Sequence, residues 1–129
     1  MNEDVIKLLM EFIAKDKFAD TIWNSRGLIP SDKSVSDKLQ NFFNEVANKL
    51  VDALNSGNNP EQLTGILKSN LLSLNSIDYD TEEREFICEY IVQLSQITNS
   101  TVNEIVIEWM YGPEIAKLMK NAPGRPPQS

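Results

Sequence analysis

Histidine is absent from the 129 residues, and cysteine occurs once, as Cys88. The first absence excludes Ser-His-Asp and Cys-His catalysis, histidine-bound metals and a histidine pH switch. The second excludes an internal disulfide. Glycine is scarce. Gly27, Gly57, Gly65, Gly112 and Gly124 never fall into GxGxxG or GxxxxGK spacing, so the glycine loops that cradle nucleotide phosphates are missing. No GxSxG elbow occurs either. Basic clusters are lacking, and the formal net charge is −7. Nucleic-acid binders and membrane-surface helices need a basic patch, so neither partner is expected. Long apolar runs are also lacking, and the acidic start Met1-Asn2-Glu3-Asp4 has no positive region of a secretory signal. A cytoplasmic protein is the resulting expectation.

What is present is helical periodicity. A chain of this length supports one core, burying ~65–70% of its unfolded surface without a disulfide or metal. Val5, Leu8, Leu9, Phe12 and Ile13 predict an amphipathic helix over 3–17. Residues 18–30 carry Phe18, Ile22, Trp23, Leu28 and Ile29 between Gly27 and Pro30, which reads as a structured connector with room for one short helical turn. The longest stripe follows: Val35, Leu39, Phe42, Phe43, Val46, Leu50, Ala53 and Leu54, with cap candidates among residues 31–36 and Gly57 at its C-terminal end. Asn59-Pro60-Glu61 is a helix start, with a cap, a proline at the first position and an acid in the first turn. Leu63, Ile66, Leu67, Leu71 and Leu74 continue from it.

Asp80 opens the next helix, whose inner face is Phe86, Ile87, Tyr90, Ile91 and Leu94. A shorter one is expected to begin at Thr101, with Glu104 as capping-box partner. The run Ile105-Val106-Ile107 suits a helix or a strand. Gly112-Pro113 breaks the chain, and a last short helix through Lys120 is expected, with Lys117 and Lys120 at its C-terminal end. No hairpin or βαβ pattern appears. The expected fold is therefore all-α, a compact single-domain bundle of five or six helices over 1–121. Residues 122–129 are expected to be a disordered proline-rich tail, with a Pro-x-x-Pro pattern.

The acidity is local. Between Asp78 and Glu89 lie six carboxylates against Arg84 alone. Asp78, Asp80, Glu82 and Glu89 match positions 1, 3, 5 and 12 of an EF-hand loop, but position 6, where the loop needs glycine, is Glu83. A helix from residue 81 would also carry Glu89 ~13 Å along the axis from Asp80 at 1.5 Å per residue. That is too far to share one ion. Asp80 and Glu83 read instead as an Asp-x-x-Glu capping box. Glu82, Glu85 and Glu89 then form an outward stripe, continued by Gln93 and Gln96. No metal and no cofactor are expected. Cys88 lies at the edge of the apolar face, where Glu85 and Glu89 discourage a thiolate.

Two segments at chain breaks, TIWNSRGLIP and EWMYGPEI, place Trp23, Arg26, Trp109, Met110 and Tyr111 there. Trp, Tyr and Arg are enriched at interface hot spots, but the preferred reading of the two tryptophans is that they plug the ends of the bundle. DTEEREFICEYI, EWMYG and SRGLIP together resemble a family of small, mainly helical bacterial proteins known as domain of unknown function forty-eight forty-four. The resemblance runs from the first helix to Gly112. It implies a compact helical fold with no assigned activity, and no functional residue comes with it. The leading expectation is a non-enzymatic protein–protein interaction module of the inhibitor or immunity type. Glu82, Glu85 and Glu89 would supply its field, and Trp23, Arg26, Trp109, Met110 and Tyr111 its contacts, toward a basic protein partner. The alternatives are an apolar-ligand binder, with a pocket among Phe42, Phe43, Tyr90 and Trp109, and a metal-dependent enzyme using carboxylates alone. The sequence leaves the oligomeric state open.

Overall fold

A computed structural model describes residues 2–112 and Leu118. Among residues 2–112 six α-helices follow in order: α1 (Asn2–Ala14), α2 (Asp20–Ser25), α3 (Lys33–Asn55), α4 (Pro60–Leu72), α5 (Thr81–Ile97) and α6 (Asn103–Tyr111). A 3₁₀ turn at Ser76–Asp78 links α4 to α5, and no strand occurs among the described residues. The fold is thus the expected all-α bundle. The expected helix through Lys120, apart from helical Leu118, and the tail over 122–129 lie outside the described residues.

Local signals set most of the boundaries. The helix α3 ends in a Schellman motif: Gly57 N–H donates to Leu54 and Asn58 N–H to Ala53. The motif needs a left-handed residue, and Gly57 adopts φ +83°. At the start of α4, Asn59 and Gln62 exchange side-chain and backbone hydrogen bonds in a capping box. The same reciprocal pair opens α5 between Asp80 and Glu83. A long-range bond joins it, since Glu83 also accepts from the Ser31 hydroxyl just ahead of α3. Ser31 had been a cap candidate for α3, but Asp32 occupies that position.

The start of α6 departs from expectation. Its N-cap is Val102, with no side-chain cap bond. Thr101 is not available for the predicted capping box, because its N–H donates to Thr64 Oγ1. The preceding Asn99 turns left-handed at φ 54° to close α5. The chain is committed to a turn through Thr101, and the cap falls one residue later than expected, at Val102. Residues 105–107 are helical, which resolves the helix-or-strand ambiguity.

The centre is aromatic. Phe12 of α1, Phe43 of α3, Phe86 and Tyr90 of α5, and Phe18 from the connector pack ring against ring. Phe18 lies 5.4 Å from Tyr90 and 6.1 Å from both Phe43 and Phe86. Such edge and offset pairs add ~0.5–1.5 kcal/mol each beyond burial. The connector is therefore part of the core. The leucines of α3, α4 and α5 continue that core toward α6. No helix among the described residues is long and apolar enough to cross a membrane.

Candidate functional site

Glu82, Glu85 and Glu89 are all exposed on α5, and Arg26 at the C-terminal end of α2 engages the last of them. A second Schellman motif ends α2, with Gly27 N–H bonded to Asn24 and Leu28 N–H to Trp23. Gly27 takes φ +72° there. This termination aims Arg26 at α5, where its guanidinium lies 4.2 Å above the Phe86 ring. It donates to Glu89 Oε2 at 2.7 Å. Both partners are about half exposed, so the pair contributes at most ~1 kcal/mol, but it fixes α2 against α5. Glu82 and Glu85 stay exposed, and no described residue forms an ion pair with them. Of three predicted glutamates, one is matched by a predicted arginine and two face outward unmatched.

A shallow depression of about 740 Å³ borders this pair, with Lys15, Ile22, Cys88, Gln93 and Gln96 around it. Its one thiol is held in the protonated form. Burial pushes Cys88 up to about 11; the nearby Glu89 and Glu85 push the same way, and Arg84 opposes them. A nucleophilic cysteine needs the opposite field. Among the described residues no group of three or more carboxylates or thiols could hold a metal ion. Asp80 and Glu83 are committed to each other as caps, and Glu89 to Arg26.

The two tryptophans are core residues, as the reading that they plug the bundle expects, and this takes them off the candidate contact surface. Trp23 is 1% exposed and packs 4.4 Å from Phe86. Its Nε1, like the hydroxyl of buried Tyr79, has no hydrogen-bond partner among the described residues. Trp109 is buried, and its Nε1 donates to the Leu74 carbonyl at 2.8 Å. Met110 is half-buried, and Tyr111 is exposed. The four residues expected to line an apolar pocket do not assemble one. Phe43 and Tyr90 fill the aromatic centre, Phe42 lies edge-on against Phe43, and Trp109 is tied to Leu74.

Sequence reasoning missed a buried polar knot around Lys17. This lysine is 0% exposed. Its ammonium donates to Asn44 Oδ1 at 2.7 Å and to the Lys15 carbonyl at 3.0 Å, and lies 4.6 Å above the Phe12 ring. Its backbone N–H donates to Gln40 Oε1, and its carbonyl accepts from the Tyr90 hydroxyl at 2.6 Å. Burial pulls the amine down to about 8; Lys15 adds to that, and Asp16 opposes it. Burial likewise pushes the Tyr90 phenol up. A lysine so lowered can serve as a base or nucleophile where a substrate reaches it. Here every polar group is spent on protein partners, and the amine has no exposed surface. Lys-Asp-Lys-Phe carries no local signal of this, because Gln40, Asn44 and Tyr90 are distant in sequence.

These features define a small all-α domain with an acidic flank and a structurally committed polar interior. The chain belongs to the family described as Domain of unknown function (DUF4844), whose profile matches residues 1–114. A crystal structure of a DUF3571 family protein from Acinetobacter baumannii AYE is similar, with a TM-score of 0.76 at 24% identity. The match covers 92% of this chain and 97% of that one, and the likeness shows a shared fold. No curated protein matches the sequence.

Proposed function

We propose that this protein is a non-enzymatic binding module for a basic protein surface, of the kind used by inhibitors and immunity proteins. The observation that carries the reading is the pair Glu82 and Glu85, exposed on the first turns of a capped helix and unmatched by any described cation. Carboxylates held on a rigid helix steer a positively charged partner into encounter and penalise acidic competitors. Rigidity comes from the Asp80–Glu83 box, and from Ser31, which ties that box to the start of α3. The lowered lysine and the protonated thiol are both engaged in packing, which supports a binding role over a catalytic one.

Affinity capture from the native host tests the reading, using the wild-type chain and a Glu82→Lys/Glu85→Lys/Glu89→Lys chain as parallel baits. A basic protein retained by the wild type at low salt, released at high salt and absent from the variant is the expected result. Equal capture by both baits would show that the stripe has no part in binding.

A further inference from the structure

The end of the bundle where α5 starts carries three exposed apolar residues. Two hydrogen bonds set α6 alongside α4 in the same direction. Thr101 N–H donates to Thr64 Oγ1 near the start of α4, and Trp109 Nε1 donates to Leu74 O just past its end. The C-terminal ends of both helices, the 3₁₀ turn and the start of α5 therefore lie together. Leu72, Ile77 and Tyr111 belong to this end, and they are 56%, 83% and 53% exposed. The exposure is built in. Ile77 sits in a turn capped by Asn75, whose Oδ1 accepts from Ile77 N–H and whose carbonyl accepts from Asp78 N–H. Tyr111 directly follows two residues that pack against the core.

Charge selects the occupant. Asp78, Asp80 and Glu82 are exposed on the turn and the start of α5, and Glu108 is exposed on α6. Basic groups near this end are partly engaged: Arg84 Nε contacts the Asp80 carbonyl, and Lys38 lies over the Tyr79 ring. Lys68 on α4 is exposed. Four carboxylates outweigh the three cations Arg84, Lys38 and Lys68 at this end, so a basic partner is favoured over a second copy of the same face. Backbone chemistry narrows the choice further. With no strand among the described residues, there is no sheet edge to pair with an extended peptide. A helix arrives with its backbone hydrogen bonds already made and needs no edge from this chain.

We propose that the end formed by Leu72, Ile77 and Tyr111, beside the carboxylates Asp78, Asp80 and Glu82, docks a basic amphipathic helix of another protein. This rests on the reading of the chain as a binder of basic proteins and adds the partner's form and seat. The partner presents apolar side chains three and four residues apart, flanked by lysine or arginine.

The test titrates the full chain with a fluorescent leucine–lysine peptide patterned as an amphipathic helix. A peptide of the same composition with the pattern scrambled is the control. Expected is salt-sensitive binding of the patterned peptide, weakened about tenfold or more in Ile77→Ser/Tyr111→Ser, the scale of a lost anchor. Leu8→Ser/Met10→Ser, which alters exposed apolar residues of α1, should leave binding unchanged. Equal affinity for both peptides, lost in Glu82→Gln/Glu85→Gln but not in Ile77→Ser/Tyr111→Ser, would overturn the docking helix and leave the basic-partner reading standing. Binding indifferent to salt and to the glutamates would sink both. Self-association abolished by Ile77→Ser would assign the face to a second copy. Tighter peptide binding by Leu118→Ser would assign it to the chain's own C-terminal residues. Either outcome overturns the proposal.

Discussion

The corner where α1 passes into α2 and the end where α6 closes beside α4 are built in opposite ways. At the corner, polar groups lie inside: Lys17 is buried, and Asn44, Gln40, Lys15 and Tyr90 use up its hydrogen bonds. At the far end, apolar groups lie outside: Leu72, Ile77 and Tyr111 are exposed among carboxylates. A buried polar group costs free energy unless it is fully paired, so a satisfied knot specifies one arrangement of the chain. An exposed apolar group contributes little to the fold. The contrast separates where this molecule holds its stability from where it has surface to offer.

Substitutions at the corner should therefore have the largest effects on stability. Phe43→Ala removes the ring that Phe12, Phe18, Phe42 and Tyr90 contact. It should cost ~3–5 kcal/mol in urea denaturation. Tyr90→Phe keeps the packing but orphans the Lys17 carbonyl, and should cost ~1–3 kcal/mol by the same measurement. Away from the corner, at the start of α5, Asp80→Ala removes a helix cap and should cost less, ~0.5–2 kcal/mol.

A pH series isolates the lysine. Its amine is held near 8, below the ordinary 10.5. Above pH 8 the folded chain gives up that proton while the unfolded chain keeps it, so stability rises with pH through this window. Cys88 acts the other way. Its thiol is raised from 9.0 to about 11, so stability falls above pH 9 as the unfolded thiol ionises first. Between pH 8 and 9 the lysine contribution dominates. The urea midpoint should rise there in the wild type, and the rise should be smaller or absent in Lys17→Met. At the far end, Ile77→Ser and Tyr111→Ser should each shift stability by no more than ~0.5 kcal/mol, checked by thermal melting.

The features legible in the sequence are those whose partners lie within a few residues. The Asp80–Glu83 box, the Asn59-Pro60 start and the Gly57 stop each involve one helical turn of chain, and all three are present. The Thr101–Glu104 box had the same local pattern and did not form, because Thr64 claimed the Thr101 N–H from another helix. Contacts across the fold left no local trace. Ser31 meets Glu83 and Arg26 meets Glu89 only after α2 and α5 come together. Residue type alone left the tryptophans two readings, and the bundle-plug reading is the one their burial fits. The same bulk suits a contact surface or a core, and Phe86 and Leu74 draw Trp23 and Trp109 inward.

The division between corner and end is tested most directly by measuring melting temperature and basic-peptide binding on the same two variants, Tyr90→Phe and Ile77→Ser/Tyr111→Ser. The division predicts that Tyr90→Phe melts earlier and binds the peptide as the wild type does, while the double variant melts as the wild type and loses the peptide. A double variant that melts as early as Tyr90→Phe while retaining the peptide would contradict it.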